Sequence, residues 1–263
     1  MSKDIVIVSA VRTPIGRFGG AFKDIPAATL SSLTISEAIK RADLENKDID
    51  EVILGEVRQT SESSNVARVA ALRAGIPIDR PAFTVNRLCA SGMQAITSGM
   101  QQIVSDQAEI VVVGGTENLS RAPFYVRRAR FGEGNPEYID SNLKNDKQQN
   151  ETYGSNLGMG ITAENVASQF GITRKKQDEF AVLSQQKYQE AKSANKFNEE
   201  ILPVEVKERK RTYILEEDEH PRPNVTMEGL SKLRPAFKEN GTVTAGNACG
   251  RNDGATSMVL MTE

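Results

Sequence analysis

Cys89 stands in the string Val85-Asn86-Arg87-Leu88-Cys89-Ala90-Ser91-Gly92-Met93-Gln94-Ala95-Ile96. The apolar segment Ala82–Val85 leads into it and reads as a strand end. Met93, Ile96, Met100 and Ile103 then recur at spacings of three and four, the period of a helix from about Ala90 to Val104. The cysteine therefore sits where a strand turns into a helix. The unpaired N–H groups and the positive dipole end of a helix start favour an anion. A thiolate is such an anion, so the position suits a cysteine of lowered pKa acting as a nucleophile. An unpaired cysteine is also at home as a small buried hydrophobe, and position alone leaves both readings standing.

The rest of the chain offers little rival chemistry. Its 263 residues carry a net charge of −2, with 38% hydrophobic and 26% charged residues, as expected for a soluble globular protein of one or two domains with no general affinity for nucleic acid. Cys89 and Cys249 lie far apart with no CxxC or Cys/His cluster, so neither a structural zinc site nor a disulfide scaffold is expected. No G-x-G-x-x-G opens a helix after a strand and no G-x-x-x-x-G-K-[ST] occurs, which gives a dinucleotide-dependent oxidoreductase or an NTPase no support. The N-terminus lacks the apolar core of a signal peptide, and no run approaches the roughly 20 apolar residues of a membrane span. A cytoplasmic protein with no membrane partner is expected. The Asn-x-Ser/Thr sequons at Asn118, Asn150 and Asn224 are then chance matches.

Stepping outward from Cys89, Ile5–Val8 reads as a strand buried on both faces. Ala27–Ala42 is an amphipathic helix with Leu30, Leu33, Ile35 and Ile39 inward. Val52–Val57 is a strand, and Asn65–Ala74 a helix stopped by Gly75. Glu109–Asn118 is a further buried strand. This alternation predicts an α/β layered sheet. Residues 119 to about 155 change texture, being rich in Arg, Gly and Asn, with Arg121, Arg127, Arg128 and Arg130 crowded together in a basic loop. Helices follow over Thr162–Phe170 and, with Thr173 as N-cap, from Arg174 to about Asn195, the latter with Phe180, Leu183, Tyr188 and Ala191 inward. Ile201–Val206 and Arg211–Leu215 read as short strands, Thr242–Gly250 as a loop, and Ala255–Thr262 as a last strand.

The Cys89 string resembles the nucleophile motif of the thiolases, the acetyl-CoA C-acyltransferases. The similarity continues in family order along the chain. It runs through Arg12-Thr13-Pro14-Ile15-Gly16-Arg17-Phe18-Gly19-Gly20, Val112–Asn118, Leu119-Ser120-Arg121-Ala122-Pro123 and Met159–Ala167, then Lys232-Leu233-Arg234-Pro235-Ala236-Phe237, Gly241–Asn247 and Asn252-Asp253-Gly254-Ala255. The resemblance implies a layered thiolase-like α/β fold, its mixed central sheet flanked by helices. Residues 1–118 and 244–263 would form the N-terminal domain, and 119–243 an inserted α+β loop domain that holds coenzyme A and contributes to an oligomer contact. It implies acyl transfer through a Cys89 thioester, then Claisen condensation of two acetyl-CoA or the reverse thiolysis. No bound cofactor is implied, the CoA thioester being the substrate. Arg222 matches an arginine set against the nucleotide end of CoA, a task suited to a guanidinium. A solvated loop charge between Pro221 and Pro223 is the alternative reading of the same residue. Cys249 falls where family members carry a serine that touches the pantetheine arm.

Departures from the pattern matter as much. The family's N-E-A-F, G-H-P-x-G and C-x-G-G-G motifs do not occur in this sequence, so the expectation is a chain lacking the C-terminal catalytic half. His220, the one histidine, lies in Glu219-His220-Pro221-Arg222, by order in the loop domain, and without the glycine pattern. Gly158 replaces a frequent histidine and Gly229 a CoA-contacting serine. The partners expected are acyl-CoA and either further copies of this chain or a separate C-terminal thiolase chain. A non-catalytic CoA-binding subunit is the alternative function.

Overall fold

The structure is a computed structural model and describes residues 3–142 and 158–263. These form two compact units, Met1–Pro123 with Asn198–His220 and Arg251–Glu263, and Phe124–Phe197 with Pro221–Gly250.

The first unit is built on a six-stranded mixed sheet. Its strands are β1 (Ile5–Arg12), the short β2 (Gly16–Arg17), β3 (Glu51–Gly55), β4 (Ala82–Val85), β5 (Val111–Asn118) and β10 (Asn252–Thr262), in the order β1-β10-β5-β3-β4 with β2 also on β10. β3 pairs parallel with β4 and β5, as crossover helices require, whereas β10 runs antiparallel to both β5 and β1. The strict alternation of strand side chains then divides the core into two layers. Val52, Leu54, Val112 and Val259 pack with α1 (Ala27–Arg41) and α2 (Val66–Arg73). Ile53, Val111, Val113 and Leu260 pack with α3 (Ser91–Val104) on the opposite face.

Local signals set the helix ends. Asn65 caps α2 by accepting from the Arg68 N–H at 3.1 Å, and Gly75 follows with φ +86°. Two expectations of burial are corrected. β1 lies at one edge of the sheet, and Ile7 and Val8 are exposed rather than buried on both faces. Leu33 of α1 is exposed while Leu30, Ile35 and Ile39 are buried. The apolar residues that mark the period of α3 do not share one buried face either, for Met93 and Met100 are exposed. The helix meets the sheet through Ser91, Ala95, Gly99 and Ile103. The small residues let it come close, since a Cβ on Gly99 would stand 2.5 Å from Val113 Cγ1.

The hairpin of β8 (Val204–Glu208) and β9 (Arg211–Leu215), in the stretch read from sequence as insertion, packs within the first unit. Val204 and Val206 join Phe22, Leu30 and Ala255 in a third cluster. His220 falls in this unit as well, and not in the second as its order suggested.

The second unit contains the hairpin β6 (Phe124–Arg127) and β7 (Glu137–Asp140), a regular element inside what reads as an irregular basic loop, together with α4 (Met159–Gln169), α5 (Arg174–Ser193) and α6 (Met227–Ser231). Residues 143–157, Asn150 among them, lie outside the described residues. Thr173 caps α5 as expected, accepting from the Lys176 N–H at 3.3 Å. The expected inner face of α5 is corrected. Phe180 is 74% exposed, Leu183 is exposed, and the buried residue of this helix is Asp178. Among the described residues no helix is long and apolar enough to cross a membrane.

The two glycines of α3 separate packing from propensity. Gly99→Ala drives a methyl into Val113 and is expected to lower stability by about 1–3 kcal/mol in urea unfolding. At Gly92 a Cβ meets nothing within 4 Å. Gly92→Ala is therefore expected to leave stability unchanged or raise it by up to about 1 kcal/mol.

Candidate active site

The turn that carries Cys89 is held by its neighbours' side chains. Asn86 Oδ1 accepts from the Leu88 N–H at 3.0 Å. Ser91 Oγ accepts from the Arg87 N–H at 2.8 Å and donates to Leu88 O at 2.6 Å. Between them Leu88 is fixed at φ +51°, a left-handed conformation that a branched side chain adopts only when its surroundings impose it. The Arg87 guanidinium donates to Gln94 Oε1 at 2.6 Å and ties the turn to the first turns of α3. Cys89 is exposed, two residues before the first residue of the helix.

The start of α3 is placed by contact of backbone on backbone. A Cβ on Gly55, the last residue of β3, would stand 2.6 Å from the carbonyl carbon of Ser91 and 2.8 Å from the Gly92 nitrogen. Only glycine allows that approach. Cys89, Ser91 and Gly92 then line a cavity of about 510 Å³ with Glu56, Glu117 and Asp253. Arg12 also lines it, but its guanidinium is bound bidentately to Asp218 at 2.7 and 3.1 Å and to Glu200 at 2.8 Å, a structural clamp within this unit. His220 does not line the cavity.

The three carboxyl groups are features that motif reading passed over. Glu117 is the penultimate residue of β5 and accepts from the backbone N–H groups of Val57 at 2.9 Å and Arg58 at 3.1 Å. Burial outweighs these bonds and leaves its pKa raised. Asp253 accepts from the Ser120 N–H at 3.0 Å and hydroxyl at 2.5 Å, and burial raises it too. Glu56 is 1% exposed, and neither of its oxygens meets a protein hydrogen-bond partner. Burial first, and the Glu117 carboxylate second, push its pKa up to about 7. The sequence signal available for it was an acidic residue directly after the apolar strand Val52-Ile53-Leu54-Gly55.

Arg222 and Cys249 belong to the second unit. Arg222 is exposed and its backbone N–H donates to Gln185 Oε1 at 2.9 Å. Cys249 is exposed on the loop that follows Gly241. Glu164 of α4 anchors that loop, accepting from the Val243 N–H at 2.7 Å, the Thr242 N–H at 2.8 Å and the Thr242 hydroxyl at 3.0 Å. Burial raises a carboxyl, but here the donors of Val243 and Thr242 outweigh it, and Glu164 lies below the usual range. Among the described residues no group of three or more His, Cys, Asp or Glu side chains is arranged to hold a metal ion.

The orphaned carboxyl makes a stability prediction with a definite sign. Between pH 4.5, the ordinary value for the carboxyl, and about 7, the folded state holds a proton on Glu56 that the unfolded chain has lost. Stability from this group is therefore present below pH 4.5 and falls as pH rises to 7, by about 3 kcal/mol. Glu56→Gln, which mimics the neutral acid, is expected to raise the unfolding midpoint at pH 8 and to flatten its decline between pH 5 and 7. Urea melts at four pH values measure both effects.

Comparison with known proteins places this geometry. The family model for the thiolase N-terminal domain matches residues 5–263. A probable acetyl-CoA acyltransferase of Staphylococcus aureus is 47% identical over 262 residues, spanning 98% of this chain and 66% of the relative. The likewise-named protein of Staphylococcus epidermidis is 46% identical over the same span. Among solved structures, the Bacillus anthracis acetyl-CoA acetyltransferase superposes with a TM-score of 0.93 at 41% identity, covering 100% of this chain and 66% of that one. Human mitochondrial 3-ketoacyl-CoA thiolase gives 0.92 at 41% identity, covering 99% and 66%. The chain thus spans just under two thirds of the length of the relatives it matches. Its mixed sheet between helix layers is the fold of those relatives' matched part, and the chain belongs to the thiolase family.

Proposed function

We propose that this chain supplies the nucleophile of an acetyl-CoA C-acetyltransferase. The Cys89 thiolate attacks the thioester carbonyl of acetyl-CoA, the tetrahedral oxyanion collapses, and CoA leaves as a thiolate that takes up a proton. A base then removes a methyl proton from a second acetyl-CoA. The resulting enolate attacks the Cys89 thioester, releasing acetoacetyl-CoA and the Cys89 thiolate. Thiolysis is the same sequence reversed. The observation that carries this reading is an exposed cysteine at the start of α3, fixed by a strained turn and opening on a cavity of about 510 Å³. The Cys89 backbone N–H is the proposed donor to the thioester oxygen.

The finer assignments are extensions of family resemblance. Arg222 meets the nucleotide end of CoA, Cys249 the pantetheine arm, and the part of residues 119–243 outside Asn198–His220 acts as the CoA-holding loop domain. The base for the second step is not assigned to a residue of this sequence. The proposed setting is acyl-CoA metabolism in the cytoplasm, with the site completed in an oligomer or by a C-terminal thiolase chain.

Intact-mass measurement after incubation with acetyl-CoA tests the first step. A single acetyl adduct is expected on the wild-type chain, retained in Cys249→Ser and absent in Cys89→Ser. No adduct from a chain that still binds CoA would instead support a non-catalytic subunit. If Cys249 contacts the pantetheine arm, Cys249→Ser offers a stronger hydrogen-bonding group. It is then expected to tighten CoA binding about fivefold, the worth of roughly 1 kcal/mol. Titration calorimetry reads that change.

A further inference from the structure

The loop from Gly241 to Cys249 is held mainly by polar contacts from two helices. Glu164 binds its entry, as described above. Its crest is bound by Asp178, which is 1% exposed on a helix whose other described residues are not buried. Asp178 Oδ1 accepts from Asn247 Nδ2 at 2.8 Å, and Oδ2 accepts from Arg174 Nε at 2.8 Å. Arg174 in turn donates to Leu230 O at 2.5 Å, which joins α5 to α6.

Asn247 then closes the loop on itself. Its Nδ2 also donates to Thr242 O at 3.1 Å, and its Oδ1 accepts from the Thr244 N–H at 2.7 Å. The Ala248 N–H donates to Thr244 O at 3.1 Å. The direction of the Asn247 amide is what makes all of this consistent. A carboxylate accepts and never donates, so Asp178 dictates that the NH₂ end faces it. With the amide reversed, Oδ1 would face a carboxylate and Nδ2 would face the Thr244 N–H, two repulsive contacts in a half-buried site. The loop has no room to compensate, since a Cβ on Gly246 would stand 2.5 Å from both Leu230 and Leu233. Burying an aspartate in the second turn of a helix is costly in desolvation. What Asp178 holds in return is a defined course of the backbone into Ala248 and Cys249.

We propose that Asp178 is a positioning residue for acyl-CoA, setting through the Asn247 amide the backbone course that presents Cys249 to the pantetheine arm. This deepens the acyl-CoA reading and rests on it. Asp178 need not touch the ligand. Its removal should be felt by the arm and not by the nucleotide end.

Calorimetric titration of the full chain with CoA and, separately, with adenosine 3′,5′-bisphosphate, which lacks the arm, tests the idea. In Asp178→Asn the new amide must present an N–H either to Asn247 or to Arg174. CoA affinity is expected to fall about tenfold, while affinity for the bisphosphate stays within about twofold. Adding Asn247→Asp restores a donor–acceptor pair with the roles exchanged. Because an aspartate at 247 no longer donates to Thr242 O, it is expected to recover only part of the lost CoA affinity, about threefold of the tenfold. If Asp178→Asn does not fold, Asn247→Ser removes the amide while keeping the Asp178–Arg174 pair, and the same split between the ligands is expected. Unchanged CoA affinity in a folded variant overturns the positioning role, as does an equal loss of both ligands. A wild-type chain that binds neither overturns the acyl-CoA reading and this inference together.

Discussion

The structure around Cys89 depends on one close approach, that of the end of β3 to the start of α3. Gly55 has no side chain, so its backbone lies against the backbone of Ser91 and Gly92. Gly115, its partner in register on β5, stands against the same place, with a Cβ there 3.3 Å from Gly55 O and 3.6 Å from Gly92 Cα. Three glycines from three elements thus converge two or three residues from the nucleophile. A side chain at Gly55 would push the helix off the sheet and carry Cys89 with it. The turn before the helix then has little freedom, and Asn86 and Ser91 use it to hold Leu88 in a conformation it would not choose.

The second constraint is that the sheet is closed by the far end of the described chain. β10 lies between β1 and β5 and pairs antiparallel with both. Gly114 permits the second pairing, since a Cβ there would stand 2.0 Å from Thr256 O. The Thr34 and Ser257 hydroxyls, 2.8 Å apart and buried, link α1 to the same strand. Asp253, at the start of β10, binds Ser120 and so fixes the segment that leaves β5. The residues that shape the cavity beside Cys89 therefore come from opposite ends of the chain, and the cavity exists only when the long-range pairing is complete.

Buried carboxyls show how far context overrides residue type. Glu164 and Glu56 are both glutamates with almost no exposed surface. Backbone and hydroxyl donors surround Glu164 and hold it ionised below its ordinary range. Glu56 has no donor within the protein and a neighbouring carboxylate, so it retains its proton toward neutral pH. One anchors the loop that leads to Cys249, and the other makes the first unit sensitive to pH. Nothing in the identity of the residues distinguishes them.

Much of this was legible in the amino-acid sequence. The order of strands and helices, the Thr173 cap, the stop at Gly75 and the placing of Cys89 before a helix all follow from periods and turn chemistry within a few residues, which is why local reading succeeds there. The motif strings fixed the family for the same reason, since they sit in short contiguous runs. What only the tertiary structure decided is which side of each element is covered. Edge position exposed Ile7 and Val8, close packing turned the small face of α3 inward, and Asp178 rather than Phe180 became the buried side of α5. Those outcomes depend on segments that are distant in the sequence, as does the absence of a protein hydrogen-bond partner for Glu56. Burial and pKa are set by what surrounds a side chain in space, and hydrophobic period alone carries no record of it.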